Sequence, residues 1–238
     1  MNEQHTAKAF DIDLQELSRM VAEMGGLAEK QVADAVDALA KRDTTMAQRV
    51  TDSDNAIDVL QREIEERSVL TIARRQPMAV DLREIVGALR LANDLERVGD
   101  LAKNIAKRVI ALNAEFPPPK LIRGVEHMTD LVLGQLKAVL DAYARRDDAK
   151  AMAVWRGDEE IDAVCTSVFR ELLTYMMEDP RNITFCIHLM FCAKNIERMG
   201  DHATNIAETV HYIVGGAPIT ERRPKGETEI SALAGTNV

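Results

Sequence analysis

The sequence predicts an all-α protein made of two tandem three-helix bundles that are related by internal duplication and contain six long helices. Apolar residues recur at three- and four-residue steps over long stretches, as on the buried face of a helix. Only 4% of the residues are aromatic, and Gly and Pro are few. A segment at 95–106 recurs at 196–207 with eight of its twelve positions identical, which indicates duplication.

The first half is predicted to occupy residues 10–113. Periodicity and turn signals place its long helices at about 10–41, 54–75 and 77–112, with a short helical piece at 44–51. A break at 51–53 is predicted to cap the second long helix. Pro77 is predicted to end that helix and to open the third, because proline is disfavoured in a helix interior and suits a first turn.

The second half is predicted to occupy residues 120–214 and to repeat the same plan. Residues 37–43 recur at 141–147, at an offset of 104. Residues 116–119, Phe-Pro-Pro-Pro, are predicted to form a stiff extended linker between the halves. The long helices are predicted at about 120–145, 157–178 and 181–214. Residues 215–238 begin with two glycines, are polar, and are predicted to form a disordered tail.

Charge and composition narrow the classes of function. The net charge of −9 disfavours binding to nucleic acid, because the surface repels phosphate backbones. Three cysteines suit a reducing compartment better than a disulfide framework, so a cytoplasmic location is expected. The sequence has neither a secretory signal pattern nor a run of about 18 apolar residues. Membrane association is therefore expected only through partner proteins.

The repeated segment carries a polar stripe on its predicted helix. Glu96, Asp100 and Asn104 are four residues apart, so they share one face, and the apolar residues of the segment fall on the opposite face. The second copy repeats the pattern with Glu197, Asp201 and Asn205. Both stripes are predicted to face outward or into a groove.

The second long helix of each half adds a carboxylate pair at i, i+4: Asp54 with Asp58, and Asp158 with Asp162. If neighbouring helices bring these pairs beside the repeated stripes, each half collects four oxygen donors, which suit Mg²⁺, Mn²⁺, Ca²⁺ or iron better than zinc. The alternative is a solvated acidic face. Duplication of the acids favours a cation site, as does a mid-helix glycine in both copies, which costs about 1 kcal/mol relative to Ala.

Other polar residues of the segment have simpler interpretations. Arg97 and Arg198 are predicted to form structural ion pairs with neighbouring acids. His202 is predicted to be a surface histidine. Gly-rich phosphate loops and the G-x-S-x-G and H-E-x-x-H patterns are lacking, so the sequence gives no sign of catalytic machinery.

Residues 77–83 leading into 94–100, followed by residues 195–208, resemble the two signature segments of the PhoU family, accessory proteins of bacterial high-affinity phosphate transport. The resemblance spans about residues 10–214. It implies multinuclear clusters of iron, zinc, manganese or magnesium on the bundle surface. The residues that match the metal-binding motif are Glu96, Asp100, Glu197, Asp201, Asp54, Asp58, Asp158 and Asp162.

The resemblance also implies a non-enzymatic role as a homodimeric negative regulator. When phosphate is plentiful, such proteins restrain the ABC phosphate transporter, with its ATPase subunit as partner, and promote the phosphatase state of a sensor histidine kinase. Two departures stand out: Asn195 replaces the acid found at Asp94 in the first copy, and the second half lacks the triplet Asp81-Leu82-Arg83. The two sites are therefore expected to differ in occupancy.

Two other classes of function stay open at this point. A carboxylate-bound metal pair activates water in phosphoester hydrolases, so the same acids suit a metal-dependent hydrolase. A purely structural helical scaffold without metal is the third hypothesis.

Overall fold

A computed structural model of the chain describes residues 3–112 and 119–221, and its helices confirm the all-α prediction with six long helices. The long helices are α1 (Glu3–Lys41), α3 (Asn55–Arg75), α4 (Val80–Leu112), α5 (Pro119–Arg145), α7 (Asp158–Glu178) and α8 (Ile183–Gly215); two short helices are α2 (Thr44–Ser53) and α6 (Asp148–Arg156). Most of the predicted linker and residues 222–238 of the predicted tail lie outside the described residues.

The short helices occupy equivalent places in the two halves and begin in the same way. Asp43 precedes α2 and accepts a hydrogen bond from the backbone N–H of Met46 at 2.9 Å. Asp147 precedes α6 and accepts one from the backbone N–H of Lys150 at 3.0 Å. A side chain that caps the first turn in this way satisfies backbone donors that have no partner within the helix. The sequence prediction included α2 but missed α6.

The junction between α2 and α3 differs from the prediction of a capping break at 51–53. Helix α2 continues through Ser53, and Asp54 is the single residue before α3. Asp54 has helical backbone angles (φ −57°, ψ −35°), and its side chain makes no capping hydrogen bond. The carboxylate is instead buried, with 3% of the residue exposed. The prediction that Pro77 opens the next helix was also early, because α4 begins at Val80.

The two halves pack against each other along α4 and α8, and also through α1 and α5. Helices α4 and α8 are antiparallel: the Arg90 guanidinium lies 5.3 Å from the ring centroid of Tyr212 near one end, and the Arg108 guanidinium lies 4.0 Å from that of Phe191 near the other. The buried apolar residues of both halves form one continuous cluster. Helix α8 ends, as predicted, at the two glycines, with Gly216 in the left-handed region at φ 79°.

No helix among the described residues is both long and apolar enough to cross a membrane.

Close approach of α4 and α8 depends on a glycine. A Cβ atom at Gly87 would lie 2.7 Å from Cγ1 of Ile213 on α8 and would clash with its Cδ1. Ile213 is itself buried. A side chain at position 87 must therefore push the two central helices apart or displace Ile213.

Gly87→Val is expected to lower the free energy of unfolding by about 2 kcal/mol, the range found when a packed interior is overfilled. Gly26→Val is the matched control, because a Cβ at this helical glycine meets nothing within 4 Å. Urea unfolding followed by circular dichroism measures both. Equal stability of the two variants would contradict the described packing of α4 on α8.

Candidate functional site

Cluster 1 consists of the four acids of the first half, Asp54, Asp58, Glu96 and Asp100, where the start of α3 meets the middle of α4. The Asp54 side chain is 4% exposed, that of Glu96 is 15% exposed and that of Asp100 is 39% exposed, so the cluster runs from the interior to the surface. Burial raises the pKa of Glu96, and the charges of Asp100, Asp58 and Asp54 raise it further against the opposing charge of Arg97. All four acids are therefore close enough to interact.

Two cations from α4 neutralise part of cluster 1. The Lys103 ammonium forms an ion pair with Oδ2 of Asp54 and lies 3.7 Å from Oδ1 of Asp100. The Arg97 guanidinium lies 3.3 Å from Glu96 and 3.5 Å from Asp100, which confirms the predicted ion pair. The sequence prediction did not include Lys103, which takes the inner position beside the buried carboxylate.

Gln31 of α1 forms the inner wall of cluster 1. Its Nε2 donates to the Val50 carbonyl and to Oδ1 of Asp54, both at 3.3 Å. Both of these partners only accept, so the amide nitrogen must face them and Oε1 faces the other way. Gln31 is 4% exposed, and its Oε1 is buried without a hydrogen-bond partner. A Cβ at Gly99 would lie 3.0 Å from this oxygen, so the mid-helix glycine makes room for it.

Cluster 2 consists of the corresponding acids of the second half, Asp158, Asp162, Glu197 and Asp201, on α7 and α8. Asp158 is buried, with 3% of the residue exposed. The Glu197 side chain is 12% exposed and accepts a hydrogen bond from Lys194 at 2.7 Å through Oε1. Burial raises the pKa of Glu197, with Lys194 opposing and the charges of Asp201 and Asp162 adding to the increase.

The floor of cluster 2 contains two groups that the sequence prediction missed. Thr204 is fully buried, and its hydroxyl donates to the Gly200 carbonyl at 3.0 Å and lies 3.3 Å from Oδ1 of Asp158. Burial, with the charges of Glu197 and Asp162, raises the pKa of the Cys165 thiol to about 12. The thiol is therefore neutral at physiological pH.

Four buried oxygens with no hydrogen-bond partner occur as two repeat-related pairs: Oε2 of Glu96 and Glu197, and Oε1 of Gln31 and Gln135. The Gln135 amide nitrogen donates to the Gly157 carbonyl at 2.9 Å, which leaves its oxygen turned away. Leaving a buried acceptor unpaired costs about 1–3 kcal/mol. For Oε2 of Glu96 the charge of Arg97 offsets part of this cost, because Nε of Arg97 lies 3.3 Å away as an ion pair without hydrogen-bond geometry. Carboxylate and amide oxygens are the ligands that hard cations prefer, so these residues fit a cation of that class.

The acids of each cluster lie close together, but they do not converge on one point as the ligands of a bound metal do. Among residues 10–112 and 120–221, no three His, Cys, Asp or Glu side chains converge closely enough to hold a metal ion in the arrangement described. Asn104, the third residue of the predicted polar stripe, is exposed. A groove of about 600 Å³ lies between α1 and α3, lined by residues such as Glu16, Arg19 and Arg67, and none of the cluster acids contributes to it.

Asp94 belongs to neither cluster and instead links α4 to α8. Its Oδ1 lies 2.8 Å from Nδ1 of His202 and 3.3 Å from Nδ2 of Asn205, so it joins α4 to α8. The prediction of a surface His202 was wrong, since its side chain is only 18% exposed and is paired. The repeat-related residue, Asn195, has no carboxylate, so the second copy of the segment cannot make the same ion pair.

Aligning the two halves by their sequence offsets would have identified several site residues that the sequence prediction did not include. Gln31 and Gln135 match at the offset of 104, each as a polar residue on an otherwise apolar helix face. At the offset of 101, Lys103 matches Thr204 and Lys194 matches Asn93, so each cluster has a lysine where the other has a neutral residue. The partnership of Asp94 with His202 has no signal in the repeat, because it depends on the antiparallel register of α4 and α8.

Fold and site together define a class: a duplicated helical-bundle protein whose polar chemistry is concentrated in two repeat-related carboxylate clusters. A sequence model of the family described as "PhoU domain" matches residues 21–109 and 125–210. A "Phosphate-specific transport system accessory protein PhoU homolog" of Rhizobium meliloti (strain 1021) is 59% identical, over 95% of this chain and 96% of its own. The chain belongs to the PhoU family.

Other relatives agree with this membership. A protein of the same description from Caulobacter vibrioides (strain NA1000 / CB15N) is 52% identical over 93% of this chain and 96% of its own. The crystal structure of PhoU from Pseudomonas aeruginosa superposes with a TM-score of 0.84 at 42% identity, covering 87% of this chain and all of that one. The phosphate transport system regulatory protein PhoU from Streptococcus pneumoniae gives a TM-score of 0.82 at 28% identity, covering 89% of this chain and all of that one.

Lys103→Met is expected to lower the free energy of unfolding of metal-free protein by about 2 kcal/mol. The substitution leaves the Asp54 carboxylate buried without its ammonium, and a quarter of Lys103 is exposed, so the cost falls below the roughly 3–5 kcal/mol of a fully buried pair. Lys107→Met, at an exposed position one turn further along α4, is the control. Chemical denaturation at pH 7 in chelator measures both. Equal effects of the two substitutions would contradict the inner position of Lys103.

Glu197→Gln is expected to stabilise metal-free protein at pH 7.5 more than at pH 5. Because the folded-state pKa of Glu197 lies above its ordinary value of 4.5, the penalty for its charge is absent below that value and develops as pH rises through the folded-state pKa. A neutral amide removes the penalty. Melting temperatures at both pH values in chelator test this, with exposed Glu65→Gln as the control. A gain independent of pH would contradict the assignment.

Proposed function

We propose that this chain is a metal-binding regulator of phosphate homeostasis that acts by protein–protein interaction. Its relatives at 59% and 52% identity are named accessory proteins of the phosphate-specific transport system, and the alignments extend over nearly the whole of both chains. One observation about the site carries the metal-binding part: each half places four acids around buried oxygens that have no hydrogen-bond partner. A bound cation would satisfy these oxygens and lower the repulsion among the carboxylates.

The residues proposed to hold the cation are the two acid clusters with their repeat-related glutamines. Iron, manganese and magnesium suit carboxylate and amide oxygens better than zinc, which prefers nitrogen and sulfur ligands. When bound, the cation supplies positive charge that a carboxylate surface lacks. The cluster acids themselves then define a fixed surface instead of a set of mutually repelling side chains, and a partner recognises that surface.

The proposed partners are the ATPase subunit of the phosphate ABC transporter and the sensor histidine kinase of the phosphate response. Regulation is negative, and the protein acts as a homodimer in the cytoplasm, reaching the membrane through these partners. The net charge of −9 suits protein partners with basic surfaces and disfavours nucleic acid. The exposed rim of cluster 1, where Arg97 and Asp100 reach the surface, offers charged groups for such recognition.

The alternative is a metal-dependent phosphoester hydrolase, and a phosphatase assay distinguishes it from the proposed regulator. Purified protein loaded with Mn²⁺ is expected to show no hydrolysis of p-nitrophenyl phosphate above that of Mn²⁺ alone. Turnover that requires the metal and is lost in Asp100→Asn would replace the regulatory proposal with an enzymatic one.

Deleting the protein is expected to raise expression from a phosphate-starvation promoter in phosphate-rich medium, because the restraint on the kinase is removed. The double variant Glu96→Gln with Glu197→Gln is expected to fail to restore repression, because both clusters lose a carboxylate. Glu65→Gln, exposed on α3, is expected to restore it fully. A promoter–reporter assay with protein levels checked by immunoblot measures all three. Unchanged expression in the deletion strain would contradict the proposed role.

A further inference from the structure

A groove separate from the one between α1 and α3 lies between α1 and α5, the first long helices of the two halves. This α1–α5 groove has a volume of about 420 Å³ and runs along residues 33–40 of α1 and 126–133 of α5. Val36 and Thr129 are buried at its base. Its charged lining residues are all acids: Asp34, Asp37, Glu126 and Asp130. Among the described residues, no lysine or arginine lines it, and neither do the acids of the two clusters.

The repeat-related place on the same two helices is filled by close packing. At the offset of 104, Val36 corresponds to Leu140 and Thr129 corresponds to Gly25. Leu140 packs directly on Gly25, because a Cβ at this glycine would lie 2.6 Å from Cδ1 of the leucine. A smaller side chain at Val36 and a larger one at Thr129 leave the α1–α5 groove open instead.

The acids of the α1–α5 groove are not a product of the duplication. A lysine, Lys137, stands at the position that corresponds to Ala33 of the groove. Only Asp37 has an acid as its counterpart, Asp141. The other three acids have neutral counterparts at the same offset: Ala138 for Asp34, Ala22 for Glu126 and Gly26 for Asp130. Negative charge and open shape therefore coincide at one place on the molecule.

The charge of the α1–α5 groove is available to a partner. Two of its acids pair with lysines one turn away on α1, whose side chains are 71% and 64% exposed: Asp34 with Lys30 and Asp37 with Lys41. Such exposed pairs contribute little stability, so a partner's cation can replace the lysine at small cost. Within the described part of the chain, Glu126 and Asp130 form no ion pair.

We propose that the α1–α5 groove docks an amphipathic helix of a partner protein, with small or aliphatic residues on the base of the groove and Lys or Arg facing its acids. This inference rests on the protein–protein part of the proposed function and is independent of metal binding. The groove extends about 10 Å along α1, which matches two turns of a helix. Basic side chains at the flanks of such a helix complement the acids.

Two other occupants fit the α1–α5 groove less well. The helices that form it satisfy their backbone groups internally, so they offer no hydrogen bonds to an extended peptide, whereas a docked helix brings its own. A second copy of this chain carries the same net charge of −9, and repulsion disfavours its approach to an acidic surface.

The first test uses the phosphate-starvation reporter in a deletion strain that carries variants of the full-length chain. Ala33→Lys with Asp130→Lys is expected to lose repression, so that expression rises to the level of the deletion strain. Ala22→Lys with Glu65→Lys makes the same change in net charge at exposed positions outside the groove and is expected to repress like the wild type. Ala33→Trp, which fills the groove and keeps its acids, is expected to lose repression, whereas Ala22→Trp is expected to retain it.

Folding is controlled within the same series. Ala33 and Asp130 are exposed, and every variant is checked by circular dichroism, thermal melting and immunoblot. If the lysine pair does not fold, Glu126→Gln with Asp130→Asn replaces it, because these changes remove charge without adding bulk.

The second test identifies the chemistry of the occupant. The photo-cross-linker p-benzoylphenylalanine is placed at position 33 of the full-length chain, with position 22 as the control, and cells are irradiated in phosphate-rich medium. Mass spectrometry is expected to find an adduct from position 33 alone, on a partner segment with helical apolar periodicity and flanking Lys or Arg. An adduct with a second copy of this chain, a nucleic acid, a lipid or an acidic segment overturns the inference.

The outcomes separate this inference from the proposed function. If the deletion raises expression but both groove variants repress like the wild type, the inference is overturned and the regulatory role stands. If the deletion leaves expression unchanged, the regulatory role falls, and the cross-link decides the inference. An adduct of the stated chemistry then supports docking in the α1–α5 groove, and the lack of any adduct from position 33 overturns it.

Discussion

Burial of a carboxylate at the start of α3 and again at the start of α7 is the constraint on which both clusters depend. Asp54 and Asp158 are each only 3% exposed, and an ionised carboxylate in such a place requires a positive or hydrogen-bonding partner. Cluster 1 meets the requirement with Lys103, whereas cluster 2 presents the hydroxyl of Thr204. The ammonium of Lys194 compensates part of the charge of cluster 2 through Glu197.

The helical framework creates these sites through close packing at glycines. Gly99 and Gly200 occupy the same place in the repeat, where a Cβ would lie 2.9 Å from Ile57 in the first half and 3.0 Å from Ile161 in the second. The approach of α3 to α4, and of α7 to α8, brings the carboxylates of neighbouring helices into one field. Packing and the proposed function therefore depend on the same residues. Binding of the proposed cation would recover the stability lost to unpaired buried oxygens.

Much of the fold followed from the sequence, because helical periodicity and duplication are local and repetitive signals. The six long helices and the end of α8 at its two glycines were predicted. Helix α6 was missed although the repeat of residues 37–43 at 141–147 places it where α2 lies in the first half. The acids that face one another were also predictable, since spacing at i, i+4 fixes their helix face. The surroundings of these acids could not be predicted. Asp54 is buried because it is the single residue between α2 and α3. His202 pairs with Asp94 because of the register in which α4 and α8 pack, although the two residues are far apart in the sequence.

Binding of a cation by the acid clusters is the central proposal, and anomalous X-ray diffraction tests it most directly. Crystals of the full-length wild-type protein soaked in Mn²⁺ are measured at a wavelength where manganese scatters anomalously. We predict a difference peak among the acids of at least one cluster, beside Glu96 and Asp54 or beside Glu197 and Asp158. Soaked crystals that diffract well and show no manganese peak at either cluster would contradict the proposal.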